Sequence, residues 1–272
     1  MTVLESEKAA VLKLPIWQTT KTAYRDTFGD LGVVATAAAV PFGLSVLLDI
    51  VLPEESAGAA LTIIRLFLPT AFAALFEIAW LRRLLLEGST ARPGLVPPIG
   101  RRFGVFVGYS LLLTVLFVPA LFFKVVLVET AEASPVTFGI FIFVLYIVAS
   151  YLSVRFGLVA PWIALDAPQR LGESWRRTQR NGLRILIAYC LTALPLVLLL
   201  AVFGVIIAAV SPELAVQIEN GAFDGSAFWF VVIGGNALLY LYYALSCAVL
   251  AHAFCTLTGW QRGRRELLER FE

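Results

Sequence analysis

Six long apolar stretches decide what this chain can fold into. They run near Gly32–Leu52, Leu61–Leu81, Gly104–Val128, Phe138–Phe156, Ile185–Val210 and Ala227–Phe254. A helix of about 20 residues crosses a hydrocarbon core of about 30 Å, and each stretch is of about that length. Runs such as Leu111–Phe123 are apolar on every face, whereas a barrel strand alternates over about 10 residues. In lipid the backbone must satisfy its own hydrogen bonds, which an unbroken helix does within the segment. The expected fold is all-α, a polytopic membrane protein of six transmembrane helices with short amphipathic cytoplasmic helices. Composition agrees: 60% of the 272 residues are hydrophobic and 15% charged, against about 45–50% and about 25% in a soluble domain. A water-soluble globule of this size could not cover so much apolar surface.

Charge sets the expected orientation. The N-terminal segment holds Lys8, Lys13, Lys21 and Arg25, and the second connection holds Arg82, Arg83, Arg92, Arg101 and Arg102. The fourth holds Arg170, Arg176, Arg177, Arg180 and Arg184, and the tail holds Arg262, Arg264, Arg265 and Arg270. Together they carry 18 of the 21 basic residues. The opposite connections are acidic, with Asp49, Glu54, Glu55, Glu129, Glu132, Glu213, Glu219 and Asp224; their only cations, Arg65 and Lys124, fall at helix ends. Both termini are therefore expected in the cytoplasm. The four lysines among 21 basic residues suggest a GC-rich coding sequence and a bacterial inner membrane. The polar start, with Glu5, Glu7 and Lys8, argues against a cleavable signal peptide.

Three parts follow: a cytoplasmic amphipathic segment over residues 1–31, a six-span bundle over 32–256, and a basic amphipathic tail over 257–272. Residues 16–31 place Trp17, Tyr24, Phe28 and Leu31 on one stripe. Residues 168–184 are read as one surface helix, with Leu171, Trp175 and Leu183 on one side and Arg170, Glu173, Arg177, Arg180 and Arg184 on another. Such helices serve as headgroup-level anchors. Clustered arginines beside a span also attract anionic lipid, which makes Arg170, Trp175, Arg176, Arg177, Arg180 and Arg184 the candidate headgroup residues. Trp17, Trp80, Trp162, Trp175 and Trp260 are expected near the cytoplasmic interface, and Trp229 near the outer one.

Pro41, Pro119 and Pro195 recur at separations of 78 and 76 residues inside the first, third and fifth spans. The spacing suggests three hairpins of similar plan, with helices loosened at each proline. Ionisable groups within spans are costly and so are functional candidates. Glu77 and Arg155 are expected at similar inner-leaflet depth, where each snorkels alone or an ion pair between them locks packing, gates a path or contacts a substrate. Asn236, Tyr240 and Tyr243 share one face of the sixth span, where interhelical hydrogen bonding is expected.

Catalysis is not expected. One histidine, His252, cannot build a multi-histidine metal site, and Cys190, Cys247 and Cys255 lack zinc-ligand spacing. No nucleophile elbow or phosphate-binding loop is present in the sequence. No metal and no cofactor is expected. The basic residues lie where topology already requires them, so no nucleic-acid partner is expected.

The second span runs into "EIAWLRRLLLEGS" and then "IGRRFGVFVGYSLLL"; the fourth reads "YLSVRFGLVAPWIALD" and leads into "RLGESWRRTQRNGLRILIAYCLTALP". This resembles six-helix bacterial membrane proteins related to the membrane domain of glycerophosphoryl diester phosphodiesterases. In that pattern an arginine of the fourth span precedes a short loop and a Ser/Ala-Trp helix, and Arg155, Trp175 and Arg176 are the matching positions. The phosphodiesterase reaction belongs to a separate soluble domain whose histidine and acidic ligands this chain lacks. The resemblance implies topology and a stand-alone membrane protein, not an enzyme.

The expected role is non-enzymatic: organising or binding membrane components, with anionic lipid at the basic cytoplasmic face. The alternative is a small-molecule transporter or permease subunit. Expected partners are membrane lipids and a membrane protein or a second copy of this chain.

Overall fold

In the computed structural model, the described residues are 13–52, 59–86, 99–120, 123, 135–168, 171–210 and 225–261. Among them the apolar runs fold as helix, and no strand occurs. The helices are α1 (Ile16–Gly29), α2 (Leu31–Val51), α3 (Ala59–Leu85), α4 (Arg101–Val115), α5 (Pro135–Phe156), α6 (Val159–Ala164), α7 (Leu171–Thr178), α8 (Gly182–Val210) and α9 (Gly225–Thr258). Four segments are long and apolar enough to cross a bilayer: Leu31–Val51, Gly139–Ala164, Gly182–Ile207 and Val231–Thr258. These are the marks of a helical membrane protein. Arg92, Arg170, the basic tail from Arg262, and the acidic Glu54, Glu55, Glu129, Glu132, Glu213, Glu219 and Asp224 lie outside the described residues.

α3 and α9 form the centre. Ala74, Phe76, Ile78, Trp80 and Leu81 of α3 are buried, as are Tyr240, Ala244, Ala248, Ala251 and Phe254 of α9. The alanines let the two backbones approach, and the Trp80 indole donates Nε1–H to the Ala244 carbonyl at 2.9 Å. Trp80 is thus a core residue and not the interfacial anchor expected from its position, because its indole found a carbonyl partner inside the bundle. α8 is the opposite case. Only 6% of its most apolar window is buried, against 56% for α9. Leu194, Val197, Leu198, Val202 and Val205 of α8 stand exposed, a surface suited to acyl chains.

α1 packs on α8 and α9. Its buried side is Thr19, Thr20, Ala23 and Thr27, while Trp17 and Phe28 face outward. Small residues permit that close packing. Thr19 and Thr20 donate their hydroxyls to the carbonyls of Pro15 and Ile16, four residues back, whereas the buried Thr27 hydroxyl has no hydrogen-bond partner among the described residues. Tyr24 stacks on Phe28 at 5.9 Å between ring centroids, in keeping with their shared stripe, while its hydroxyl donates to the Thr192 carbonyl of α8 at 2.7 Å.

Helix continuity is interrupted near Pro119, with helix resuming over 118–120, and departs from expectation after Thr178. α4 ends at Val115 and a turn follows, with the Leu116 and Phe117 amides bonded to carbonyls three residues back. Pro119 accounts for this: it lacks an N–H, and its ring clashes with the carbonyl of residue 115. Pro41 and Pro195 stay inside continuous helices, as does Pro69. The segment 168–184 is not one helix. α7 stops at Thr178, Arg180 takes a left-handed conformation at φ 69°, and α8 begins at Gly182. The Arg-Asn-Gly sequence there is a turn signal.

Candidate functional site

One end of the bundle gathers the basic residues. There the C-terminal ends of α3 and α9, the N-terminal ends of α4 and α8, and the short α6 and α7 meet. Arg83 pairs with Asp30 at 2.8 Å. Arg82 donates to the Ala164 carbonyl at 2.7 Å. Asp166, itself left-handed at φ 60°, accepts both forks of Arg102, with Nε at 2.5 Å, and lies 3.6 Å from Arg82. The Trp260 indole donates to the Leu85 carbonyl at 3.3 Å.

Arg155, at the C-terminal end of α5, is the most enclosed of these cations at 6% exposure. Its Nε donates to the Thr178 hydroxyl at 2.9 Å, Nη1 to the Tyr151 hydroxyl at 3.1 Å and Nη2 to the Trp175 carbonyl at 2.7 Å. The Ser174 hydroxyl donates back to the Arg155 carbonyl at 2.8 Å. The guanidinium also stacks 3.8 Å from the Trp175 ring centroid, and Phe156 covers the same indole at 5.4 Å. A buried charge needs such compensation, and here carbonyl dipoles, hydroxyls and a π face supply it. The expected Glu77–Arg155 ion pair is therefore not formed. Arg155 instead fastens α7 to α5. Gly182 makes room for it, since a Cβ there would fall 2.6 Å from Arg155 Cδ and 3.0 Å from the Tyr151 ring.

The other headgroup candidates divide. Arg177 donates to Glu173 at 2.6 Å and to the Leu257 carbonyl at 3.2 Å. Arg184 donates to the Leu14 carbonyl at 3.1 Å, while the Leu14 amide donates to Asn181 at 2.9 Å. Those two arginines hold helices together. Arg176 donates to Glu173 at 2.6 Å, yet its side chain is 74% exposed. Arg180 and Trp175 are also exposed. Partial burial alone would raise the Glu173 pKa, but Arg177 and Arg176 outweigh it and hold the carboxyl below its usual range.

Glu77 lies elsewhere. It lines a cavity of about 330 Å³ between α3, α4, α5, α8 and α9, with Phe106, Tyr109, Ser153, Tyr189 and Tyr242. Farther from the basic end, Asn236 donates to Asp49 at 2.9 Å, and the Ser45 and Tyr240 hydroxyls meet at 3.0 Å. Interhelical hydrogen bonding by Asn236 and Tyr240 was legible from their shared face; the α2 partners were not. Ser174 and Thr178 were missed as well, although hydroxyls four residues apart beside an intramembrane arginine carry a readable signal. Among the described residues no group of three His, Cys, Asp or Glu side chains could hold a metal ion.

No protein-family model, no curated protein and no solved structure matches this chain.

Proposed function

We propose that this is a six-span inner-membrane protein of a bacterium, with both termini in the cytoplasm, that binds anionic lipid headgroups at its basic end and has no enzymatic role of its own. The observation that carries the reading is the rim formed by exposed Arg176, Arg180 and Trp175 on α7 and the turn after it. Arg155 holds that rim from beneath. Indoles favour the headgroup level, and each basic residue near an anionic surface contributes about 1 kcal/mol. Segregation of arginines to one end supports the orientation, and alternation of basic and acidic connections in the sequence supports six spans. The likeness of Arg155, Trp175 and Arg176 to the pattern of phosphodiesterase-associated membrane domains belongs to the same proposal.

The test is native mass spectrometry of the protein from mixed phosphatidylglycerol and phosphatidylcholine. Phosphatidylglycerol should be retained preferentially. Arg176→Gln and Arg180→Gln should each weaken that retention about fivefold, the equivalent of about 1 kcal/mol. Equal retention of both lipids, unchanged in the double variant, would dismiss the reading.

A second reading, a small-molecule transporter or permease subunit, is favoured by one observation: the cavity that Glu77 lines within the bundle.

A further inference from the structure

Glu77 sits eight residues before the end of α3, about 12 Å along the helix axis from the basic end. At that depth a carboxylate needs a partner. Among the described residues Glu77 has no hydrogen-bond or ion-pair partner, whereas Arg155, the nearest candidate by sequence reasoning, is fully engaged with α7. The cavity beside Glu77 has a second unmet polar group: the Ser153 hydroxyl is buried with no hydrogen-bond partner among the described residues. Ser110 and Ser150 also line it, and most of the remaining lining is aliphatic or aromatic, the rings being Phe106, Tyr109, Phe117, Tyr189 and Tyr242. The Tyr109 hydroxyl is already committed to the Phe156 carbonyl at 2.8 Å, so what that side chain offers a ligand is its ring.

One carboxylate in a chamber of mostly apolar and aromatic side chains, with a few serine hydroxyls, has a defined chemical complement. A hard divalent metal ion is held by several charged oxygen ligands, and Glu77 is the single carboxylate of this lining. An anion would be repelled. A cation that spreads its charge over an apolar body satisfies the carboxylate, and aromatic faces within about 6 Å attract it further. We propose that the Glu77 cavity is a binding site for a monovalent organic ammonium ion, with Glu77 as counter-charge and Tyr109, Tyr189 and Tyr242 as aromatic walls. The ammonium group comes either from a free hydrophobic amine or from an aminated lipid headgroup. The inference deepens the second reading above only as far as a ligand site: it needs no transport and is independent of the headgroup rim, so its failure leaves that rim untouched.

The probe is benzyltrimethylammonium, with neopentylbenzene as its uncharged isostere. Binding is measured by equilibrium dialysis on the full chain in phosphatidylglycerol nanodiscs. Saturable binding of the cation is expected, without competition from the isostere. Glu77→Gln should weaken binding by about tenfold or more and Tyr189→Leu by several-fold, while Glu77→Asp should retain most of it. Ala193→Phe, which fills the cavity and keeps the carboxylate, should also abolish binding. This last variant decides the matter if Glu77→Gln does not fold. Equal competition by the isostere would overturn the site, as would undiminished affinity in folded Glu77→Gln or in Ala193→Phe. Exchanging half the lipid for phosphatidylethanolamine separates the sources. Displacement of the probe assigns the ammonium to a headgroup, and its retention assigns it to a free amine; the site stands in both cases.

Discussion

The guanidinium carbon of Arg155 lies 3.8 Å from the centroid of the Trp175 ring, and the Nη2 of the same arginine donates to the Trp175 carbonyl at 2.7 Å. One side chain thus grips both the backbone and the ring of a residue 20 positions away. The grip fixes the tilt of α7 against α5, and with it the direction in which Arg176 projects.

Replacing Arg155 with lysine keeps the charge but removes the planar fork and the stacked face. The Arg155→Lys protein should lose about 1.5–3 kcal/mol, the scale of hydrogen bonds to a charged group. Thermal unfolding in detergent measures this. A double-mutant cycle with Glu77→Gln should be additive within about 0.5 kcal/mol, because the two side chains share no contact. Stronger coupling would restore the ion pair that the sequence suggested.

Gly182→Ala tests the same joint from the other side. Its new Cβ meets Arg155 Cδ at 2.6 Å and the Tyr151 ring at 3.0 Å, and Arg155 is pinned along its length by three hydrogen bonds. The expected cost is about 1–3 kcal/mol, the range of overpacking. Gly172→Ala on α7 is the control: nothing lies within 4 Å of a Cβ there, and helix propensity favours alanine by up to about 1 kcal/mol. The two substitutions should shift the unfolding midpoint in opposite directions.

Glu173 gives the basic end a dependence on acid. Its carboxyl is held below the usual range in the folded protein. It therefore stabilises the fold above the unfolded carboxylate pKa, and that contribution disappears as pH falls through the folded value. Wild type should melt higher than Glu173→Gln at pH 7, and the gap should narrow as pH falls below the ordinary carboxylate range of about 4. A gap independent of pH would detach the effect from ionisation.

Between α2 and α9 the Ser45 and Tyr240 hydroxyls meet at 3.0 Å. A cycle of Ser45→Ala and Tyr240→Phe should show coupling of about 0.6 kcal/mol, the average for such bonds between membrane helices. Zero coupling would mean that the contact contributes only packing.

Helical class, the long apolar segments and the concentration of arginines could be read without coordinates, because length and charge follow directly from residue type. Partner choice could not. A lipid-facing and a protein-facing leucine look alike in a sequence, so the register between helices has no pattern to betray it. That is why Arg155 was matched with Glu77 by depth, when Ser174 and Thr178 were its actual neighbours, and why Trp80 read as an interfacial anchor. The threonine face of α1 carries no sequence signal of burial for a related reason: hydroxyls such as those of Thr19 and Thr20 bond back within their own helix. The loosening expected at Pro119 is seen as a turn at residues 116–117, after which helix resumes over 118–120.

The contrast between bare α8 and enclosed α9 carries a consequence for how this chain can diverge. Along the outer side of α8, leucine, valine, isoleucine and phenylalanine are interchangeable to surrounding acyl chains, so drift there meets no resistance. At Ala244, Ala248 and Ala251, any larger residue would prise α3 and α1 away from α9, and selection should hold those positions small. Descendants of this sequence would be recognised by their alanines sooner than by their leucines.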